Sequence, residues 1–274
     1  MHCYVINMPS CRERLKRTSL ELERTCPDIP WSIPPMYIAD EMGNESFSRL
    51  YDSKNARVLR GVDLSHGEIA CALSHQSALK EFLQTSEMCA LIVEDDVKLS
   101  LYAGEFLKCT EKWLSVRMNK QLCIVLSQAS AVRYWTSRKW IGDIRMTRPV
   151  AVSGAIAYVV NREGAKKILT ANHEPIRTTS DDWRFYVKHG LTVYGVDKPL
   201  AGSYDYSRED SSLQQGREEI YKQSMALRHF TLLQSVAKVL SGRARGFWWR
   251  ISGVTIEAKR TNERIYLSGG NEKN

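Results

Sequence analysis

The sequence predicts an α/β fold, a sheet flanked by helices, and three observations carry that reading. Short apolar runs rich in strand formers recur at Cys3–Ile6, Cys89–Val93 and Leu122–Leu126. Segments with helical spacing lie between them, and strands alternating with helices bury both faces of a sheet. The second run ends abruptly in Glu94-Asp95-Asp96, as a buried strand does where it leaves the core.

Cys3–Ile6 is the first strand, and Asn7-Met8-Pro9-Ser10 is the turn that leaves it. Arg12–Arg24 carries Leu15, Leu20 and Leu22 among charges and reads as an amphipathic helix, broken by Pro27, Pro30, Pro34 and Pro35. Residues 40–62 are polar and read as irregular. Ser65 followed three residues later by Glu68 is a capping box, so a helix starts there and runs to about Thr85, with Ala70, Leu73, Ala78 and Phe82 on its apolar face. Cys89–Val93 and Leu122–Leu126 are buried strands. Val150–Val160 is apolar but interrupted by Ser153-Gly154. Arg162–Leu169 reads as a helix. Asp181-Asp182-Trp183 opens another that Gly190 ends, and Leu191–Val196 is a further strand. Glu219–Leu240 places Leu227, Phe230, Leu233, Val236 and Leu240 at three- and four-residue steps, an amphipathic helix stopped by Gly242. The expected organisation is a body, 1–218, and a basic helical C-terminal extension, 219–274.

The 274 residues are 43% apolar and 26% charged, the composition of a globular protein and not of a disordered or fibrous one. The net charge of +8 is uneven: from Leu227 onward nine Lys/Arg face three Asp/Glu. Arg243, Arg245 and Arg250 surround Phe247-Trp248-Trp249, a pattern suited to an anionic membrane interface. The seven Cys are odd in number and form no Cys-x-x-Cys, which fits reduced thiols better than a disulfide framework. No secretory signal and no apolar run long enough to span a bilayer is visible. The expectation is a cytoplasmic protein, at most peripheral on the cytoplasmic face of the inner membrane.

The chemistry concentrates in three places. Carboxylates crowded at the end of a buried strand repel one another until a cation neutralises them. In open α/β sheets ligands bind outside the carboxyl ends of strands. Glu94, Asp95 and Asp96 therefore mark the expected position of a divalent metal, Mn²⁺ or Mg²⁺, with substrate phosphates completing its shell. Glu68, Ser74 and His75 fall on the capped helix, with Glu68 and His75 on one side of it. Asp181 and Asp182, at a helix start, are dipole partners or supply a general base, and His189 lies seven residues beyond Asp182.

The string Gly67-Glu-Ile-Ala-Cys-Ala-Leu-Ser-His75 followed by Leu91-Ile-Val-Glu-Asp-Asp-Val97 resembles glycosyltransferase family 25, the bacterial lipooligosaccharide glycosyltransferases and their procollagen galactosyltransferase relatives. Val5-Ile6-Asn7 with Arg14, the Gly154…Tyr158…Ala165 stretch, Asp181-Asp182-Trp183 and Lys198-Pro199 with Ser211-Ser212 are similar to further family blocks in the same order. Met8 and Ala70 depart from the usual Leu and Gly, and nothing from Leu227 onward matches. The resemblance implies a GT-A-type, Rossmann-like fold and a UDP-hexose donor, most often UDP-galactose. It implies a divalent metal and transfer with inversion to a lipid-linked lipooligosaccharide or lipopolysaccharide core glycan. It places the metal at Asp96, with Glu94 beside it and nearer the ribose. By its helical spacing from Asp182, His189 is a further candidate metal ligand. The candidate nucleotide-binding residues are Asn7, Arg14 (on phosphate, or pinning the first loop), Glu68, Ser74, His75, Glu94, Asp95 and Gly154, and the general base is Asp181 or Asp182.

Two other classes compete. A metal-dependent phosphoryl-transfer enzyme would use the same acidic cluster, but no Gly-rich P-loop and no Asp-x-Asp-x-Thr occurs. A basic nucleic-acid-binding protein is disfavoured because the positive charge is confined to the tail and no binding motif is present; no nucleic-acid partner is expected.

Overall fold

A computed structural model describes residues 1–204 together with Ile220 and Val254–Thr255. The chain runs β1 (His2–Ile6), α1 (Arg12–Thr25), β2 (Trp31–Ser32), α2 (Asn44–Leu50), α3 (Ser53–Arg60), α4 (His66–Gln84), β3 (Cys89–Glu94), β4 (Val97–Leu99), α5 (Ala103–Ser115), β5 (Leu122–Gln128), β6 (Ala131–Arg133), β7 (Arg138–Ile141), β8 (Ile144–Thr147), β9 (Pro149–Ala151), β10 (Ala157–Asn161), α6 (Arg162–Ala171), α7 (Trp183–Lys188), β11 (Thr192–Val196), β12 (Ala201–Ser203) and β13 (Val254–Thr255). Eight strands form one mixed sheet in the order β2-β1-β3-β10-β5-β11-β8-β7. β1, β3, β5 and β11 run the same way, and β10 runs against both neighbours, β3 and β5. The carboxyl ends of four strands and the amino end of β10 therefore meet along one edge of the sheet.

Side chains that alternate along a strand feed two cores. Cys3, Val5, Leu91 and Val93 face one side and pack with Leu22, Phe106 and Leu107 of α1 and α5. Tyr4, Ile6, Ala90 and Ile92 face the other, with Ala78, Leu79 and Phe82 of α4 and Ile168 of α6. The result is helix, sheet, helix. A satellite cluster joins Phe47, Leu50, Leu64, Ile69, Leu73 and Ile176.

The expected strands at Cys3–Ile6, Cys89–Val93 and Leu122–Leu126 are all present, and all four predicted apolar-face residues of α4 are buried. The capping box is also there. Glu68 N–H donates to Ser65 Oγ at 3.2 Å, and Ser65 N–H donates to Glu68 Oε2 at 2.9 Å. Ser65→Ala removes one arm of it and is expected to lower stability by about 1 kcal/mol, readable as a fall in the urea midpoint at unchanged slope.

Residues 40–62 are not irregular: they hold α2 and α3. Two local signals account for α3. Asp52 caps it by accepting from Asn55 N–H at 3.0 Å, and Gly61 ends it at φ 80°, where a side chain would be strained. The Val150–Val160 stretch splits into β9 and β10 around Gly154. Ile220 and Val254–Thr255 are the described part of the expected C-terminal extension. The latter pair is extended and pairs antiparallel with β6, a strand where only a helical tail was expected. The rest of the amphipathic helix and the Arg-Trp segment lie outside the described residues. Among the described residues no helix is long and apolar enough to cross a membrane.

Candidate active site at the carboxyl edge of the sheet

β3 delivers Glu94 to the carboxyl edge beside the end of β1, with Ile6 paired to Glu94. Asp95 and Asp96 form the turn into β4, so the acidic triplet caps no helix. The turn is held from both sides. Asp95 N–H donates to Ile6 C=O at 3.1 Å, Thr18 Oγ1 donates to Asp95 C=O at 2.7 Å, and Tyr204 N–H donates to Asp96 C=O at 2.8 Å. Asn7, at the end of β1, is buried with its side-chain oxygen lacking a hydrogen-bond partner.

The three carboxylates have different surroundings. Asp95 is buried and meets Arg14 Nη2 at 2.7 Å. Burial pushes its carboxyl up to about 7; Asp96 and Glu94 add to the rise, and Arg14 opposes it without prevailing. Asp96 Oδ2 accepts from Ser203 Oγ at 2.6 Å and lies 3.5 Å from Arg14 Nη2. Glu94 is half-exposed, with Oε1 3.4 Å from His75 Nε2. A carboxyl raised when folded favours the folded state at low pH, and that contribution fades as pH rises through about 7. Metal-free protein should therefore lose melting temperature relative to Asp95→Asn between about pH 5 and pH 8. A constant gap between the two would show that Asp95 ionises normally.

The second half of the site comes from the β10 end of the same edge. Gly154, at φ 80°, turns the chain into β10, and its carbonyl accepts Trp183 Nε1–H at 2.9 Å. Trp183 is buried edge-on to Tyr158, ring centroids 5.3 Å apart, and Tyr158 stacks on His75 at 5.8 Å. This aromatic layer connects Glu94 to the start of α7. There Asp182 is the N-cap, accepting from Phe185 N–H at 3.1 Å and Thr178 Oγ1 at 2.7 Å. Asp181 accepts from Thr179 Oγ1 at 2.6 Å. Both carboxylates line a cleft of about 470 Å³ with Arg60, Asp63, Glu68, Thr179 and Ile220.

The acidic turn at the sheet edge and the two Asp of the cleft both fall within the sequence that a family model covers. The model for glycosyltransferase family 25, described as an LPS biosynthesis protein, matches residues 1–183. The chain belongs to glycosyltransferase family 25. It is 27% identical over 145 residues to a protein of Acanthamoeba polyphaga mimivirus described as procollagen lysyl hydroxylase and glycosyltransferase, a match covering 50% of this chain and 15% of that one. The chain thus spans a small part of that relative. Among solved structures, a protein from STIV covers 74% of this chain and 85% of its own at TM-score 0.38 and 14% identity. A glycosyltransferase involved in the glycosylation of the major capsid of PBCV-1 covers 81% and 100% at TM-score 0.35 and 10% identity.

The family member's expected site residues separate into two groups. Asn7, Arg14, His75, Glu94, Asp95, Asp96 and Gly154 gather at the carboxyl edge, and Asp181 and Asp182 line the cleft at the start of α7. Three others have structural positions. Ser74 is fully buried, donating to Ala70 C=O at 2.8 Å and accepting from Tyr37 N–H at 3.0 Å. It therefore fastens the 37 loop to α4 and presents nothing to a ligand. Glu68 caps α4, although it also lines the cleft. His189 is the C-cap of α7, its Nδ1 2.8 Å from Phe185 C=O and its ring against Phe185. Seven residues of helix and caps set it roughly 10 Å along the chain from Asp182, at about 1.5 Å per residue. Among the described residues, the side chains that converge as a three-ligand group are Cys71, His75 and Glu94, not Asp96, Glu94 and His189.

Sequence reasoning missed Ser203, which steadies Asp96, and Glu21. Glu21 is buried, accepts Leu99 N–H at 2.8 Å and Tyr204 Oη–H at 2.9 Å, and so ties β4 and the end of β12 to α1. The only sequence signal for Glu21 is a charge on the inward side of an amphipathic helix.

Proposed function

We propose that this glycosyltransferase moves a hexose, galactose in the first instance, from a UDP-sugar to a lipid-linked lipooligosaccharide or lipopolysaccharide core glycan, with inversion and with a divalent cation. The observation that carries the reading is the acidic turn after β3, braced by Arg14 and Ser203; a carboxylate-lined cleft lies at the start of α7. The oxygen donors suit Mn²⁺ or Mg²⁺, which prefer one or two carboxylates plus substrate phosphates. Asp96 would hold the ion, with Glu94 beside it. When bound, the ion neutralises the charge that develops on the departing diphosphate.

The chain's own residues do the rest. Arg14 sets the acidic turn and supplies positive charge toward phosphate. Asn7, with an unsatisfied buried oxygen, accepts a donor from the nucleotide. Glu94, half-exposed, faces the ribose. The acceptor glycan occupies the cleft, where Asp181 takes the proton from the attacking hydroxyl. Asp182 cannot easily do so, because its two oxygens are engaged in capping α7. Attachment of the basic tail to the cytoplasmic membrane surface would place the enzyme at a lipid-linked acceptor.

The test is a panel of UDP-, GDP-, CMP- and TDP-sugars with Mn²⁺ or EDTA, read by donor hydrolysis and thermal shift. One UDP-sugar is expected to give metal-dependent turnover and stabilisation. No response to any nucleotide sugar from folded protein would overturn the assignment. For the tail, full-length protein should sediment with anionic liposomes and a version ending at 218 should not.

A further inference from the structure

We propose that Cys71, His75 and Glu94 form a second cation site, selective for a borderline-soft ion of the Zn²⁺ class and distinct from the hard-metal position at Asp96. Cys71 and His75 stand four residues apart on α4 and so share one face. Glu94 reaches the same point from the end of β3. One ligand atom from each, a thiol sulfur, an imidazole nitrogen and a carboxylate oxygen, lies within 4.8 Å of the others.

Two observations about His75 point to a ligand. The residue is 2% exposed, and its Nε2, directed at Glu94, has no hydrogen-bond partner. Burying a ring nitrogen in that state is unfavourable unless something else fills the direction. The distance from Nε2 to Glu94 Oε1 is 3.4 Å, long for a charge-assisted hydrogen bond of about 2.7–2.9 Å. It matches the edge of a zinc tetrahedron: Zn–N and Zn–O lengths of about 2.0–2.2 Å place two such ligands roughly 3.4 Å apart. The other ring nitrogen, Nδ1, is 3.2 Å from Tyr158 Oη. When Nδ1–H donates to this hydroxyl oxygen, the Nε2 lone pair is left for the ion; metal-ligating histidines commonly donate their second ring N–H to an oxygen in this way. Tyr158 is fully buried and stacked on the ring, so the imidazole is held in place before any ion arrives.

The ligand set separates this site from the other. Sulfur and imidazole nitrogen select Zn²⁺ over Mg²⁺ or Mn²⁺, whereas the carboxylates of the β3–β4 turn do the reverse. Three protein ligands leave a fourth position for water or a further ligand. Binding joins α4 to the end of β3 and fixes Glu94 next to Asp95 and Asp96.

The test needs no transfer activity and is independent of the proposed reaction. Reduced, metal-stripped full-length protein is titrated with Co²⁺. One equivalent is expected to give a near-ultraviolet thiolate-to-Co²⁺ charge-transfer band and the visible bands of tetrahedral Co²⁺, both displaced by one equivalent of Zn²⁺. Cys71→Ser should abolish the charge-transfer band. Cys109→Ser, at an exposed thiol on α5, should leave it intact, and so should Asp96→Asn. If His75→Asn does not fold, Glu94→Gln at the half-exposed ligand should weaken Zn²⁺ at least about tenfold against a chromogenic chelator. Absence of a stoichiometric thiolate band, or a band that survives Cys71→Ser, overturns the proposal. Loss of Mn²⁺-dependent turnover in Asp96→Asn with the Co²⁺ spectrum retained would separate the two sites.

Discussion

Asp96→Ala is expected to lower kcat/KM by about 10³-fold or more while the protein stays folded. A Lewis-acid contribution to a departing diphosphate is worth several kcal/mol, and each 1.36 kcal/mol is a factor of ten in rate. Against that, the structural loss is smaller: the bond that Asp96 Oδ2 accepts from Ser203 Oγ at 2.6 Å is worth about 1 kcal/mol net, and Arg14 Nη2, 3.5 Å away, keeps Asp95 as its nearer partner at 2.7 Å. Removing one of three adjacent carboxylates also relieves repulsion on Asp95, whose carboxyl Asp96 helps to raise. Asp96→Asn isolates the charge, since it keeps an oxygen acceptor for Ser203. Both variants should melt close to the parent, and Mn²⁺ should no longer shift donor affinity in either. If Asp96→Asn turns over normally with Mn²⁺, the cation is not held at Asp96. Ser203→Ala should fall between the parent and the Asp96 variants, with reduced turnover, because it loosens Asp96 without removing it.

Much of the β-sheet and the acidic edge was legible in the sequence because both write themselves locally. An apolar run ending in Glu94-Asp95-Asp96 specifies a buried strand and its exit. Ser65 and Glu68 specify a helix start by their own hydrogen bonds. α2 and α3 were missed because their apolar residues are few among polar ones, and α3 is announced mainly by the Asp52 cap and Gly61. The β7–β8 hairpin and β12 were missed because short edge elements draw their stability from partners remote in sequence. The site divided the same way. Asn7, Arg14 and the acidic triplet converge because parallel β1 and β3 end together, which the strand pattern foreshadows. The helical projection that paired His189 with Asp182 holds inside a helix, whereas α7 covers only Trp183–Lys188 and the two residues are its opposite caps. Periodicity located Ser74 on a buried face but could not show that its hydroxyl meets the 37 loop. Cys71 was visible in the string ending at His75, four residues away, yet the spacing becomes chemistry only when β3 brings Glu94 to the same face.

Asp181 and Asp182, adjacent in sequence, are expected to fail in opposite ways. Asp182→Ala removes the N-cap of α7, its bonds to Phe185 N–H and Thr178 Oγ1 included. A lost cap costs about 0.5–2 kcal/mol, and α7 has few residues over which to spread it. Asp182→Ala should therefore melt a few degrees lower, and Asp182→Asn, which retains a capping oxygen, should recover most of the difference. Asp181 accepts one side-chain hydrogen bond, from Thr179 Oγ1, in the half-buried lining of the cleft. Asp181→Asn preserves an acceptor there and should leave the melting temperature nearly unchanged. A general base supplies roughly 10²–10⁴ in rate, so Asp181→Asn should lose that much in kcat with donor affinity intact. The nearby Arg60, which donates to Thr179 Oγ1 at 3.1 Å, orients the Thr179–Asp181 pair. Arg60→Gln should therefore lower kcat, and by less than Asp181→Asn does. The reverse pattern, with Asp182→Asn inactive at full stability and Asp181→Asn active, would move the base one residue along. It would also require Asp182 to give up one of its two donors when the acceptor binds, because both of its oxygens are already occupied.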